Sequence, residues 1–305
     1  MKNSKANNRR AYIMLAPAIV IILAVVVYPL LRSIWFSFFD VKLNQSIGRA
    51  SFVGFDNYTY YFEAKYNSFW HSIAFTSIFT LITLVIEVLI GILMAVIINK
   101  SINKMNAVKG VLLLPFAIPV SVSALMWKFL FDVDAGLLSN LFEKLHLINH
   151  ASVMLTTHSG LTFSSVFADV WKTTPILIVL FLIGLHHIDK SIYDVADMDG
   201  ASKTTRFFKI TLPLLKPTIL IAVLIKIIDG FRTFDLVYLL TGGAKNTDTI
   251  STLAHSTIFS DGKLGRGSAL AVITFLLITI ISLIYIKLIG SQILLGKEQG
   301  CNNEK

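Results

Sequence analysis

Residues 72–98 read SIAFTSIFTLITLVIEVLIGILMAVII and hold a single ionisable side chain, Glu87. Crossing the hydrocarbon of a bilayer as a helix takes about 20 mostly apolar residues, and this run exceeds that. Inside lipid the backbone finds no water to bond to, so only helices or closed barrels can cross. Barrel strands alternate polar and apolar residues over about ten positions, whereas this stretch is apolar throughout. It is therefore expected to be a membrane helix.

Five further runs meet the same criterion: Ile13–Leu31, Val111–Phe131, Val166–Leu185, Thr218–Leu240 and Ser268–Ile289. Asp169 and Lys172 interrupt the fourth span, and Lys226, Asp229 and Arg232 the fifth. The chain thus reads as an all-α integral membrane protein of six transmembrane helices, a single transmembrane domain over residues 1–305. Composition agrees, because 55% hydrophobic and 15% charged residues cannot form a soluble surface, which is nearer a quarter charged. The outside loops 33–71 and 132–165 are long enough to hold short helices or to cover a cavity.

An even number of spans places both termini on one side, and Lys and Arg mark the cytoplasmic side. The N-terminus, the 99–110 and 186–216 loops and the C-terminal tail are basic, with Lys2, Arg9, Lys104, Lys203, Arg206 and Lys297 among their residues. The opposite loops set Lys42, Arg49 and Lys65 against Asp40, Asp56, Glu63, Asp132, Asp134 and Glu143. Both termini are therefore expected in the cytoplasm, and the +9 net charge is a topology signal. No basic segment interleaved with aromatics suggests nucleic-acid binding. The apolar stretch after Arg10 is too long for a signal peptide and lacks a small-x-small cleavage site, so it reads as an uncleaved first span. A single cysteine, Cys301, excludes an intrachain disulfide and a thiolate metal cluster.

The most informative polar segment is cytoplasmic, between the fourth and fifth spans: DKSIYDVADMDGASKTTRFFKITLPLLKP, residues 189–217. Acidic residues crowd its first turns, Ile192, Tyr193 and Ala196 recur at helical spacing, and Gly200 interrupts the pattern. A second short helix is expected to end at Pro213. The pattern predicts two short helices on the membrane surface with an exposed corner at Gly200. By pattern alone, an ordinary amphipathic interfacial loop explains it equally well.

This segment resembles the EAA loop of binding-protein-dependent ABC importer permeases, a Glu-Ala-Ala triplet followed at fixed spacing by a glycine and an Ile-x-Leu-Pro. Asp194-Val195-Ala196 stands at the triplet, Gly200 at the glycine and Ile210-Thr211-Leu212-Pro213 at the ending. Asp for Glu and Val for Ala are conservative departures. Three further segments extend the resemblance to the sugar-type permeases that carry maltose, glycerol phosphate or multiple sugars. They are Gly54-Phe55-Asp56-Asn57-Tyr58, Leu114–Pro119 with Trp127, and Phe234–Tyr238 followed by Thr241-Gly242-Gly243-Ala244 and Thr249.

The resemblance implies a six-helix type I ABC importer permease bundle in the bacterial cytoplasmic membrane, importing a sugar or related polar solute. It implies as partners a second, related permease in a heterodimer, a pair of ABC ATPase subunits, and an extracytoplasmic solute-binding protein. It implies that Asp194, Val195, Ala196, Gly200, Ile210, Leu212 and Pro213 couple the chain to the ATPase. ATP would be bound by that separate subunit, and the permease itself would need no cofactor and catalyse no reaction. In agreement, Gly200–Thr204 lacks the Gly before Lys and the preceding strand of a phosphate loop.

Two other classes remain at this stage. An ion-coupled secondary transporter would also place charges in its spans, and a membrane enzyme could use His186, His187 and Asp189. Adjacent histidines face different sides of a helix, however, and no H-x-x-x-H pair accompanies them.

Lys226, Asp229, Arg232 and Asp235 alternate in sign at i, i+3 spacing, where side chains are neighbours. At mid-bilayer each charge costs on the order of 3 kcal/mol, so the ladder needs partners or water. Either it pairs within itself, or Asp229 and Arg232 face a water-filled solute path. In the second case Lys226 and Asp235 flank them, and Phe231, Phe234 or Tyr238 offers apolar surface. Trp127 or Trp171 could stack a sugar ring or belong, with Trp70, to an outer aromatic belt. Glu87 is expected to hydrogen-bond between helices. Pro17, Pro29, Pro115, Pro119 and Pro175 are expected to be tolerated structurally in the spans.

Overall fold

A computed structural model describes residues 14–44, 50–63, 67–100, 106–134 and 136–301. The charges read at Lys2, Arg9, Arg49, Lys65 and Lys104 lie outside the described residues. In chain order the structure has α1 (Met14–Ser37), strands β1 (Phe39–Asp40) and β2 (Ser51–Phe52), α2 (Asp56–Phe62) and α3 (Asn67–Lys100). Then follow α4 (Asn106–Ala117), α5 (Val120–Leu130), α6 (Leu137–Lys144), α7 (Val153–Thr156) and α8 (His158–His186). The remainder is α9 (Lys190–Met198), α10 (Lys203–Arg232), α11 (Asp235–Thr241), α12 (Ile250–Phe259) and α13 (Leu264–Cys301).

Five of these helices, α1, α3, α8, α10 and α13, contain windows long and apolar enough to cross a bilayer. The pair α4 and α5, bent by 95° at its break, makes six when counted as one span. The sequence reading of six spans therefore holds, with three corrections to their course. The third span is broken rather than straight. The fifth is Lys203–Arg232, not Thr218–Leu240, because the helix stops at Arg232 and residues 235–241 form the separate α11. Nor does a second short helix end at Pro213: α10 runs through it without interruption.

Two prolines explain local widenings. A helical proline cannot donate to the carbonyl four residues back. Leu23–Val27 in α1 and Phe207–Thr211 in α10 are π-helical turns. Each ends two residues before a proline, Pro29 and Pro213 respectively. The wider turn absorbs the missing bond and the helix continues.

The chain packs as two compact units, Met1–Phe69 with Leu253–Phe275, and Trp70–Thr252 with Leu276–Lys305. In the first, the Asn57 side chain is buried and its Nδ2 donates to the carbonyls of Ser37 (2.9 Å) and Phe39 (3.0 Å), joining α2 to the end of α1. Tyr58 adds a 2.6 Å hydroxyl contact to Ser37 Oγ. The Gly54–Tyr58 motif is thus a structural clasp. None of the apolar window of α1 is buried by this chain, so lipid or another protein must cover it.

In the second unit α8 is central and packs with α3 and α10 around Ile92, Ala95, Leu177, Phe181, Leu215 and Ala222. Lipid is as apolar as these side chains, so close backbone approach rather than the hydrophobic effect holds membrane helices together. Each helix of the trio contributes a glycine to the next. A Cβ on Gly91 would press into Phe181, one on Gly184 into Thr218 and Leu215, and one on Gly230 into Thr80.

Candidate functional site

Between α8 and α10, α9 is a short helix with both ends capped. Asp189 accepts from the Ser191 N–H (2.9 Å), and this bond holds its carboxyl below the usual aspartate range. At the other end the Ala201 N–H bonds the Ala196 carbonyl (2.9 Å) and the Gly200 N–H bonds that of Asp197 (3.1 Å). This is the paired closure that requires a left-handed residue just past the helix, and Gly200 supplies it with φ +72°.

The cap turns the chain into Ser202, whose side chain accepts from the Thr205 N–H and opens α10. Arg206 of α10 pairs with Asp197, and Tyr193 meets Thr211 at 3.0 Å. So α9 is fastened to the start of a helix that then crosses the membrane.

The predicted coupling residues separate by exposure. Ala196 is buried against the chain, whereas Asp194, Val195, Gly200 and Pro213 are exposed, with Ile210 and Leu212 in between. Ile192 and Met198, the latter 80% exposed, complete an apolar and acidic surface on α9.

Near the middle of the spans lies a cluster of four buried charges. Lys226 of α10, 2% exposed, donates to Asp169 Oδ2 of α8 (2.6 Å) and pairs with Glu87 Oε1 of α3 (2.7 Å). Thr173 Oγ1 donates to the same Glu87 oxygen at 2.6 Å. One turn beyond Asp169, Lys172 donates to the carbonyls of Ile118 (2.5 Å) and Pro115 (3.4 Å). Pro119 has no N–H to return to Pro115, so that carbonyl is orphaned by the sequence itself. Lys172 satisfies the non-helical backbone at the break, which bilayer depth would otherwise forbid. Two acidic and two basic side chains thus meet in one buried cluster.

Residues 87–293 match the family described as binding-protein-dependent transport system inner membrane component. The chain belongs to that family. It is a multi-pass membrane permease of an ABC importer, and nothing in the match favours the ion-coupled carrier. The permease is 34% identical over 286 residues to the sulfoquinovosyl glycerol transport system permease protein SmoG of Agrobacterium fabrum, covering 92% of this chain and 91% of that one. It is also 34% identical to the trehalose/maltose transport system permease protein MalF of Thermococcus litoralis, covering 93% and 96%. Among solved structures it resembles a chain of a bacterial ABC transporter that imports alginate, with a TM-score of 0.80 at 21% identity over 94% of this chain and 98% of that one. That likeness concerns the fold.

Within the permease, the charge ladder does not pair with itself. Lys226 turns inward to Glu87 and Asp169, while Asp229, Arg232 and Asp235 are exposed. The helix ends between Arg232 and Asp235, so the ladder is split over α10 and α11. Lys226 therefore does not flank Asp229 as a partner. Phe231 is buried, whereas Phe234 and Tyr238 stack at 5.1 Å with Tyr238 exposed. Trp127, 6% exposed, packs against Phe131, Phe167 and Trp171. It lies inside an aromatic core and offers no open face to a sugar. His186 and His187 turn back to the carbonyls of Leu182 (2.6 Å) and Ile183 (2.7 Å).

Two features escaped the sequence reading. One is Lys172 as the clasp of the helix break, which the prolines at 115 and 119 could have signalled. The other is a cavity of about 540 Å³ where α3 meets α8, lined by His71, Phe75, His158, Thr162 and Asn246.

Proposed function

We propose that this permease carries an uncharged or weakly charged carbohydrate into the cell, delivered by an extracytoplasmic solute-binding protein and driven by ATPase subunits that dock on α9. The observation that carries the reading is identity of about a third, over more than nine-tenths of the chain, to permeases named for trehalose/maltose and for sulfoquinovosyl glycerol. A related permease completes the pore as a heterodimer. Asp229 and Arg232, exposed together at the end of α10, hydrogen-bond solute hydroxyls, and the Phe234–Tyr238 stack presents a ring face to a sugar. The cavity bounded by α3 and α8 falls within the size range of ligand pockets, and among the described residues its lining holds no Asp, Glu, Lys or Arg. That composition suits a neutral hydroxylated solute.

The test is ATP-dependent uptake of labelled trehalose, maltose and sulfoquinovosyl glycerol into proteoliposomes holding the assembled transporter. At least one should accumulate, and uptake should stop without the ATPase. Asp229→Asn with Arg232→Gln should lower transport at least tenfold while ATPase co-purification and basal ATP hydrolysis remain. Uptake of none of these sugars, or uptake sustained by an ion gradient, would remove the reading.

On this reading both termini lie in the cytoplasm, with α9 inside and the α6–α7 region outside, as the basic loops of the sequence suggest. In a Cys301→Ser background, cysteine at His150, which is exposed, should react with an impermeant thiol reagent in whole cells. Cysteine at Asp199 should react only after permeabilisation. The opposite pattern inverts the topology.

A further inference from the structure

Lys226 sits on the same uninterrupted helix as Lys203, about 35 Å away at 1.5 Å per residue. Movement imposed on the α9 end of α10 therefore arrives at Lys226 as movement of a rod. What Lys226 grips there is Asp169 at 2.6 Å and Glu87 at 2.7 Å. Asp169 shares one face of α8 with Lys172, since residues three apart are neighbours. Lys172 in turn holds the Ile118 and Pro115 carbonyls. Polar groups thus run from the α10 rod to the place where the third span is broken by 95°.

Two observations say that this network is more than packing. First, it is not saturated: Glu87 Oε2 is buried without a hydrogen-bond partner, so the cluster holds an acceptor that a shifted ammonium could take up. Second, the Pro115 contact, at 3.4 Å, is long beside the 2.5 Å bond to Ile118, so Lys172 holds the break itself more closely than the last turn of α4. A break clasped by one side chain on another helix opens or closes as that helix moves.

We propose that Asp169 and Lys172 are positioning residues of the transport cycle, carrying movement of the α10 rod to the break between α4 and α5. The break is the moving part of the third span, and α5 swings with it against α11. The inference rests on the reading of α9 as the element that docks the ATPase.

The experiment places a reporter cysteine at Val122, an exposed position of α5 three residues past Pro119, in the Cys301→Ser background of the assembled, reconstituted transporter. Its thiol-labelling rate is measured without nucleotide and in the ATP/vanadate-trapped state. The rate should differ at least threefold between the two states. Lys172→Gln should bring the ratio close to one, and Lys172→Arg, whose guanidinium can still reach two carbonyls, should restore it. Pro119→Ala tests the break from the other side without removing a charge. It supplies the N–H at position 119 that the Pro115 carbonyl lacks as a partner, so the span should straighten and the ratio should again approach one in a protein that folds normally.

A reporter rate that is the same in both states, or a ratio that survives Pro119→Ala and Lys172→Gln, overturns the proposal. Asp194→Lys separates the two readings. If it leaves the nucleotide-dependent ratio intact, docking through α9 fails, and the Lys172 and Pro119 variants still decide the relay.

Discussion

Replacing Lys226 with Met is expected to be the most damaging single substitution in the spans. The change removes an ammonium that is 2% exposed and leaves Glu87 and Asp169, both buried, without the group that bridges them, Lys172 being held on the Ile118 and Pro115 carbonyls. Breaking a buried pair by deleting one partner costs about 3–5 kcal/mol, whereas neutralising its partners as well removes the uncompensated charge. Lys226→Met should therefore sharply lower both the amount of permease in the membrane and the detergent-solubilised unfolding temperature. Lys226→Met combined with Glu87→Gln and Asp169→Asn should regain most of the loss in stability. The triple variant folds without the polar grip on α10, so its transport should stay low. A single variant as stable as the parent, or a triple variant no better than the single, would show that the cluster does not bear on folding.

The second large effect is expected on α9. Asp194→Lys reverses charge on an exposed position, so it should leave the permease in the membrane while cutting uptake and ATPase stimulation at least tenfold. Gly200→Val acts differently. A Cβ at Gly200 meets nothing within 4 Å, but φ is +72°, where a non-glycine residue loses about 1–2 kcal/mol and a β-branched one is a clear outlier. The loss falls on the cap that sets the angle between α9 and α10. Uptake should drop with membrane level retained, and Gly200→Asn, which tolerates this conformation, should keep most activity. Equal activity in Val and Asn variants at a reduced level would mean that open space at the corner matters and backbone conformation does not. Normal uptake in Asp194→Lys and Gly200→Val together would remove the docking surface.

Much of this was open to reading in the chain because the relevant physics is local. A run such as Ser72–Ile98 has one low-energy form in lipid, so the apolar spans followed from hydropathy. Gly200 was legible as a corner because helix closure needs a left-handed residue within two positions of the last turn. The EAA-like spacing from Asp194 to Pro213 was legible for the same reason. It lies along one piece of chain, whose helix period fixes which residues stay exposed.

Span boundaries were less legible. Apolarity continues past Arg232 into Leu236, Val237 and Leu240, which are buried in the protein on α11, and hydropathy cannot separate burial in protein from burial in lipid. Pro213 misled in the same way, since a proline marks a missing hydrogen bond and not the response to it. Here the response is a π-turn that lets α10 run on.

The sequence by itself determined that the chain lies in the membrane as helices, where its basic loops fall, and that a capped surface helix joins the fourth and fifth spans. Tertiary structure alone decided the partners of the buried charges. Spacing on one helix offered Asp229 to Lys226, yet the pairs formed are with Glu87 and Asp169, 139 and 57 residues away in sequence. Spacing fixes only neighbours along a helix, whereas burial in a low-dielectric interior selects whichever opposite charge the helix packing brings within reach. The glycine contacts of α3, α8 and α10 set that packing, and with it whether Lys226 points to Asp229, to water or into the protein.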